Sequence, residues 1–73
     1  MRLKYLREKH HMSQQRLAMD LHINQNTLSR YENHRREADY ATLIMIADYF
    51  DVSLDYLMGR DDDGSSYRAR TRN

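Results

Sequence analysis

Three side chains between positions 25 and 30 have the chemistry and the spacing to recognise hydrogen-bonding groups from one face of a helix. They are Gln25, Asn26 and Arg30. Asn26 and Arg30 are four residues apart and therefore share a helical face, and Gln25 lies one step around it. In a major groove, Gln and Asn amides can pair bidentately with adenine, and Arg with guanine. The pattern allows base-edge recognition, although an ordinary amphipathic surface helix would have the same pattern.

Two short helices and a tight turn are predicted to position these side chains. Ser13 and Asn24 are favourable N-cap residues, which predicts helices over 14–21 and 25–33. The inner faces of the two helices carry apolar residues at helical spacing, namely Leu17, Leu21, Leu28 and Tyr31, and Ile23 lies in the turn. The turn requires a residue near the left-handed region, and we expect His22 to adopt a positive φ there.

Three segments resemble, in order and spacing, the helix-turn-helix domain of the Cro and phage-repressor family, also called the xenobiotic-response-element family. They are SQQRLA, INQNTLSRYEN and ADYATLIMIADYFDVSLDYLMG, and the resemblance extends from Leu3 to Gly59. It implies an all-α, five-helix, lambda-repressor-like bundle whose third helix lies in the major groove. Two residues depart from the family pattern: His22 stands where Gly is usual, and Ala38 where Pro is frequent.

The remaining helices follow from apolar periodicity and caps. They are predicted over 3–10, from the residue after the N-cap Asp39 to about Phe50, and over 54–58 between the N-cap Ser53 and Gly59. Arg2, Lys4 and Lys9 are expected on the outside of the first helix. We predict a helix-turn-helix domain over 1–59 and a flexible, charged tail over 60–73. The arginines of the tail either contact DNA or belong to an inert, solvated segment.

The resemblance and the residue types also assign supporting roles. Contact with DNA phosphates, or positioning of the protein on the duplex, is assigned to Gln14, Arg16, Thr27, Asn33, Arg35, Arg36 and Tyr40. The resemblance implies that Gln14 also supports the first residues of the third helix. It further implies an ion pair between Arg7 and Glu32, the alternative being two separately solvated charges. The final candidates, Leu54, Tyr56 and Met58, form either a dimer patch or the end of the core.

The distribution of charge agrees with a phosphate-binding first half. Residues 1–36 contain eight Lys or Arg and three acidic residues, whereas residues 37–63 contain one Arg and eight acidic residues. The absence of Cys excludes disulfides and thiolate metal sites and agrees with a cytoplasmic location. The sequence has no signal-peptide pattern and no apolar run long enough to span a membrane. It also has no catalytic motif, metal-ligand spacing or cofactor-binding loop, so we expect neither enzyme activity nor a bound metal or cofactor.

The expected function is sequence-specific binding of double-stranded DNA by a homodimer that represses transcription through operator occupancy. Two alternatives stay open. One is an antitoxin or restriction-system controller that regulates its own operon. The other is a protein-interaction module that uses the same surface of the third helix.

Overall fold

The computed structural model describes residues 1–60, and within them the chain forms five helices and no strand. The helices are α1 (Leu3–Lys9), α2 (Gln14–Leu21), α3 (Gln25–Glu32), α4 (Tyr40–Phe50) and α5 (Leu54–Leu57). The predicted all-α architecture is confirmed. α1, α3 and α5 end one residue earlier than predicted, because the next residue acts as the C-cap. The predicted tail lies outside the described residues from position 61 onward.

The starts of α2 to α5 are fixed by side chains that cap free backbone amides. Ser13 Oγ accepts a hydrogen bond from the amide three residues ahead at 3.0 Å, and Asn24 Oδ1 accepts one from the amide two residues ahead at 2.7 Å. Asp39 and Ser53 cap α4 and α5 in the same way. All four residues were predicted as N-caps, and each such cap stabilises a helix by roughly 1 kcal/mol.

Each helix in residues 1–60 closes with a residue in the left-handed conformation. His22 has φ 58° and ψ 40°, and the amide of Ile23 then bonds to the carbonyl of Ala18 at 3.0 Å. This is the bond of a Schellman closure. The other four helices use His11, His34, Asp51 and Gly59 in the equivalent position. The predicted positive φ at His22 is confirmed, and glycine serves this role after only one of the five helices.

Replacing His22 with glycine is expected to raise the free energy of unfolding by up to about 1 kcal/mol, or to leave it unchanged. Glycine adopts positive φ without the steric cost that an L side chain incurs. The measurement is urea denaturation followed by circular dichroism. Asp48→Gly, at an exposed position inside α4, is the matched control and should lose about 1 kcal/mol. A marked loss of stability in His22→Gly would contradict the assigned role of the turn.

The core is a single cluster of buried side chains to which all five helices contribute. Its fully buried large side chains are Leu3, Leu17, Leu21, Leu28, Ile46 and Leu57. Both predicted apolar rows of α2 and α3 are buried, and Ile23 packs against the core from the turn. Because one face of α3 is buried along its length, the opposite face is directed outward. No helix in the described part of the chain is long and apolar enough to cross a membrane.

The position of Arg2 differs from the sequence expectation. Its guanidinium lies over the Tyr56 ring, 4.7 Å from the centroid, and its Nε donates to the Tyr56 carbonyl at 2.9 Å. The backbone amide of Arg2 also bonds to the carbonyl of Leu57 at 2.7 Å. The side chain therefore joins the start of α1 to α5 instead of extending into solvent. Apolar periodicity could not predict this contact, because its two partners are 54 residues apart.

Candidate nucleic-acid interface

The three predicted base-reading residues are exposed on the outer face of α3. Gln25, Asn26 and Arg30 are all solvent-accessible, and none is covered by the protein's own chain in the described residues. Asn26 and Arg30 line a shallow, open depression together with Ser29, Asn33 and Arg35. Gln25 lies outside this depression, nearer the turn. The sequence prediction therefore identified side chains that can reach a partner, two of which share one concave surface.

The inner face and last turn of α3 are fixed by packing and by an ion pair. Leu28 and Tyr31 are buried, and the Glu32 side chain is 1% exposed. Arg7 binds Glu32 through two hydrogen bonds, Nε to Oε2 at 2.6 Å and Nη2 to Oε1 at 3.1 Å. Bidentate pairing of this kind fixes geometry as well as contributing energy. Arg7 and Glu32 thus form the ion pair that the resemblance implied, and the alternative of two solvated charges is excluded.

The environment of Arg7 shows why the pair holds α1 against α3. Besides Glu32, the Arg7 guanidinium donates from Nη1 to the Met12 carbonyl at 2.8 Å, so it also closes the α1–α2 turn. The hydrogen bond to Glu32 is the main reason that the pKa of Arg7 is raised. The charged guanidinium is therefore favoured in the folded state, and it stays paired with the buried carboxylate.

Gln14 supports α3 at a different place from the one expected. Its Nε2 donates to Glu32 Oε1 at 3.0 Å, so it contacts the last residue of α3, whereas the expected contact was with the first residues. The reason is geometric, because the first turn of α2 lies beside the Arg7–Glu32 pair. The amide of Gln14 thus completes the hydrogen bonding of a buried carboxylate. This second role was not readable from its position as the first residue of a helix.

The other predicted positioning residues lie within α3, in the segment after it and at the start of α4. Asn33, Arg35 and Arg36 are exposed in the segment that follows α3, and Thr27 is half-buried. The Asn33 amide donates to Ser29 Oγ at 3.3 Å, which holds it along the same face as the base-reading set. Tyr40, at the start of α4, is 69% exposed. Arg35 shares the depression of Asn26 and Arg30, whereas Arg36 lines a separate groove with Tyr31 and Met58.

Two acidic residues lie next to predicted phosphate contacts, Asp39 beside Tyr40 and Asp20 beside Arg16. Asp39 caps α4 directly before Tyr40, and its hydrogen bonds with Thr42 lower the pKa of the carboxyl. Its negative charge opposes phosphate binding by the first backbone amides of α4, which is the contact by which Tyr40 was expected to bind a phosphate. Arg16 has an exposed side chain, as a phosphate contact requires, but its Nε lies 3.3 Å from both carboxylate oxygens of Asp20.

A family model described as "Helix-turn-helix" matches residues 3–57 of this chain. The chain belongs to the helix-turn-helix family. The match includes all five helices, and it confirms the resemblance to Cro-type and phage-repressor domains that was read from the three sequence segments. Within the matched range, α2, the His22 turn and α3 follow one another as a helix, a turn and a helix.

Curated relatives carry the same family label. The chain is 41% identical over 61 residues to the HTH-type transcriptional regulator ImmR of Bacillus subtilis, covering 84% of this chain and 48% of the relative. It is 45% identical over 56 residues to the uncharacterized HTH-type transcriptional regulator YqaE of the same organism, covering 77% of this chain and 48% of that protein. The chain thus spans about half the length of these relatives. No solved structure gives a significant match.

The three residues predicted as a dimer patch differ in how far they are exposed to solvent. Met58 is 45% exposed and Leu54 is half-buried, but Tyr56 is only 8% exposed because Arg2 covers its ring. Tyr56 therefore belongs to the end of the core, which was the alternative to the dimer patch. Met58 instead lines an open groove whose apolar residues are Met1, Tyr31, Ala38 and Leu43 and whose polar residues are His34, Arg36 and Glu37. The available apolar surface at this end is therefore Met58, the groove and part of Leu54.

Sequence reasoning missed two neighbours of the predicted phosphate contact Arg16, namely Asp20 and Tyr49. The i, i+4 spacing of Arg16 and Asp20 is a recognisable signal for a helical ion pair. No comparable signal links Asp20 to Tyr49, which is 29 residues away on α4. The contact exists because α2 and α4 pack side by side, a property of the assembled bundle.

Proposed function

We propose that this protein binds double-stranded DNA sequence-specifically and regulates transcription, most simply as a repressor that occupies its operator. One observation carries the proposal: α3 exposes Gln25, Asn26 and Arg30 while its opposite face and last turn are fixed in the core. A rigid helix with such an outer face fits the width of a major groove and can pair with base edges. The relatives' description as transcriptional regulators supports the same role.

We assign the residues to two kinds of contact. Gln25, Asn26 and Arg30 read bases, whereas contacts with phosphates or positioning on the duplex come from Gln14, Arg16, Thr27, Asn33, Arg35, Arg36 and Tyr40. Phosphate contacts fix orientation and contribute sequence-independent affinity, and base contacts provide specificity. Since the Gln14 side chain is bonded to Glu32, its expected contribution to phosphate binding is through the backbone at the start of α2. We propose residues 1–59 as the unit that makes these contacts.

We further propose that the protein acts as a homodimer on a two-fold operator. Met58 and the adjoining groove, with Leu54 at its side, provide exposed apolar surface next to the end of α5. A two-fold interface uses the same patch on both subunits and places the two α3 helices in equivalent half-sites. Half-sites are then expected about one helical turn apart, or a multiple of that distance.

Selection of bound duplexes from a random library tests this function directly. The full chain is expected to enrich one motif, and a two-fold repeat within that motif would support the homodimer. Binding to the enriched duplex should weaken on the order of a thousandfold between about 50 and 200 mM salt, as expected when several phosphates are contacted. Failure to enrich any motif would contradict specific readout of DNA. If the chain instead binds a protein partner, and salt hardly weakens that binding, the protein-interaction module is favoured.

A further inference from the structure

A chain of hydrogen bonds joins α4 to one of the proposed phosphate-contacting arginines on α2. The Tyr49 hydroxyl donates to Asp20 Oδ2 at 2.6 Å. Asp20 in turn lies opposite Arg16, whose Nε is 3.3 Å from both carboxylate oxygens. Asp20 therefore has one short contact with a neutral hydroxyl and one long contact with a cation. The side chains of Arg16 and Asp20 are 68% and 29% exposed, so the ion pair is open to solvent.

The two contacts differ in strength and in how easily they break. An exposed i, i+4 ion pair with long, bifurcated geometry is weak and is screened by salt. The contact with Tyr49 is short and involves a charged acceptor, which makes it the stronger hydrogen bond. Accordingly, the Tyr49 hydroxyl is the main cause of a lowered pKa at Asp20, and Asp20 is the main cause of a raised pKa at Tyr49. At neutral pH the carboxylate is charged and the phenol is protonated.

We propose that Arg16 exchanges the Asp20 carboxylate for a DNA phosphate on binding, and that Tyr49 permits the exchange by staying bonded to Asp20. The proposal rests on the DNA-binding function proposed above. Asp20 competes with phosphate for Arg16 and so lowers the affinity of the protein for DNA. Tyr49 has no contact with DNA in this scheme. It is a positioning residue, because its hydroxyl stabilises the carboxylate that Arg16 leaves behind.

The scheme predicts opposite effects for the two partners of the Tyr49–Asp20 bond. Asp20→Asn keeps an acceptor for Tyr49 but removes the charge that holds Arg16, so affinity for a duplex should rise about two- to fivefold at low salt. Tyr49→Phe leaves Asp20 dependent on Arg16, so affinity should fall by about twofold. In the Asp20→Asn background, Tyr49→Phe should have no further effect on affinity, because the carboxylate that needed the hydroxyl is absent.

The experiment is a fluorescence-anisotropy titration of the full chain with a labelled duplex of about 20 base pairs, two helical turns, at several salt concentrations. Asp48→Asn, an exposed carboxylate on α4 next to Tyr49, is the matched control for the loss of one negative charge and should leave affinity unchanged. Arg16→Gln should weaken binding and lower the salt slope by about one. In the Arg16→Gln background, Asp20→Asn should raise the affinity for the duplex no more than Asp48→Asn does.

The outcomes separate this proposal from the function on which it rests. If the wild-type chain binds no duplex at low salt, the DNA-binding function and the exchange are both overturned. If the wild type binds but Asp20→Asn does not increase affinity beyond Asp48→Asn, only the exchange is overturned. An equal loss on Tyr49→Phe in both backgrounds would assign Tyr49 a purely structural role. Should Tyr49→Phe fail to fold by circular dichroism, the assigned role of Tyr49 as a positioning residue is overturned in favour of a structural one, and the Arg16 and Asp20 variants still decide the exchange.

Discussion

Replacing Arg7 with alanine is expected to lower the free energy of unfolding by about 3–5 kcal/mol, a large part of the stability of a domain this small. The substitution removes both hydrogen bonds to a carboxylate whose side chain is 1% exposed. Only Gln14, a neutral donor, would then remain beside the Glu32 charge. The bond from Arg7 to the Met12 carbonyl is lost as well, so the α1–α2 turn is weakened in the same step.

Thermal and urea denaturation, both followed by circular dichroism, measure this loss. For a domain of this size each kcal/mol shifts the melting temperature by roughly 4–8 °C, so Arg7→Ala should melt more than about 12 °C below wild type. Lys4→Ala, an exposed position on the same helix, is the control and should stay within about 0.5 kcal/mol. Arg2→Ala is unsuitable as a surface control, because Arg2 joins α1 to α5. Equal losses in Arg7→Ala and Lys4→Ala would contradict the role of the pair.

A second variant separates the buried charge from the lost packing. In Arg7→Met with Glu32→Leu, both charges are replaced by apolar side chains of similar length, and no carboxylate is left without its cation. Replacement of a whole buried pair is often neutral or stabilising, whereas removal of one partner is costly. The double variant should therefore recover most of the stability lost in Arg7→Ala. If it does not, the loss comes from packing around α1 or from the missing bond to the Met12 carbonyl, and the unpaired charge of Glu32 is not its source.

The local features of the fold were predictable because they depend on residues close in sequence. Ser13, Asn24, Asp39 and Ser53 each cap a helix through an amide two or three residues away, so their identity alone marks the starts. His22 was predictable for the same reason, since the turn geometry is set within a few residues. The Arg7–Glu32 pair, 25 residues apart, was accessible only through resemblance to a family with that pair.

The contacts that sequence reasoning missed all depend on how the helices pack. Tyr49 reaches Asp20 and Arg2 reaches Tyr56 across separations of 29 and 54 residues. Periodicity indicates which face of a helix is buried, but it does not fix the angle or offset between two helices. A polar side chain at the edge of a buried face can therefore contact either of the neighbouring helices. Gln14 illustrates this, because it contacts the end of α3 although its beginning was expected.

Arginine at position 30 is expected to determine one base of the bound sequence. Arg30 is exposed in the depression on the outer face of α3, four residues from Asn26 and on the same side. A guanidinium there can donate two hydrogen bonds to the O6 and N7 atoms of guanine, a pairing that discriminates against other bases by about 1–3 kcal/mol. Arg30→Ala should therefore weaken binding to the selected duplex by about 5- to 150-fold.

The loss of preference at a single position is the decisive part of this prediction. In selection from random duplexes, Arg30→Ala should retain the wild-type motif except at one position in each half-site, where guanine is no longer preferred. Arg35→Ala is the matched control, because this exposed arginine follows α3 and is assigned to a phosphate. It should leave the motif intact, weaken binding to all sequences alike and reduce the salt slope by about one. If Arg30→Ala selects an unchanged motif, Arg30 is not a base-reading residue. If the variant instead loses the same affinity for every duplex, Arg30 is a phosphate contact. A base contact changes the ranking of sequences, whereas a phosphate contact changes only their common affinity, so the two roles cannot produce the same result.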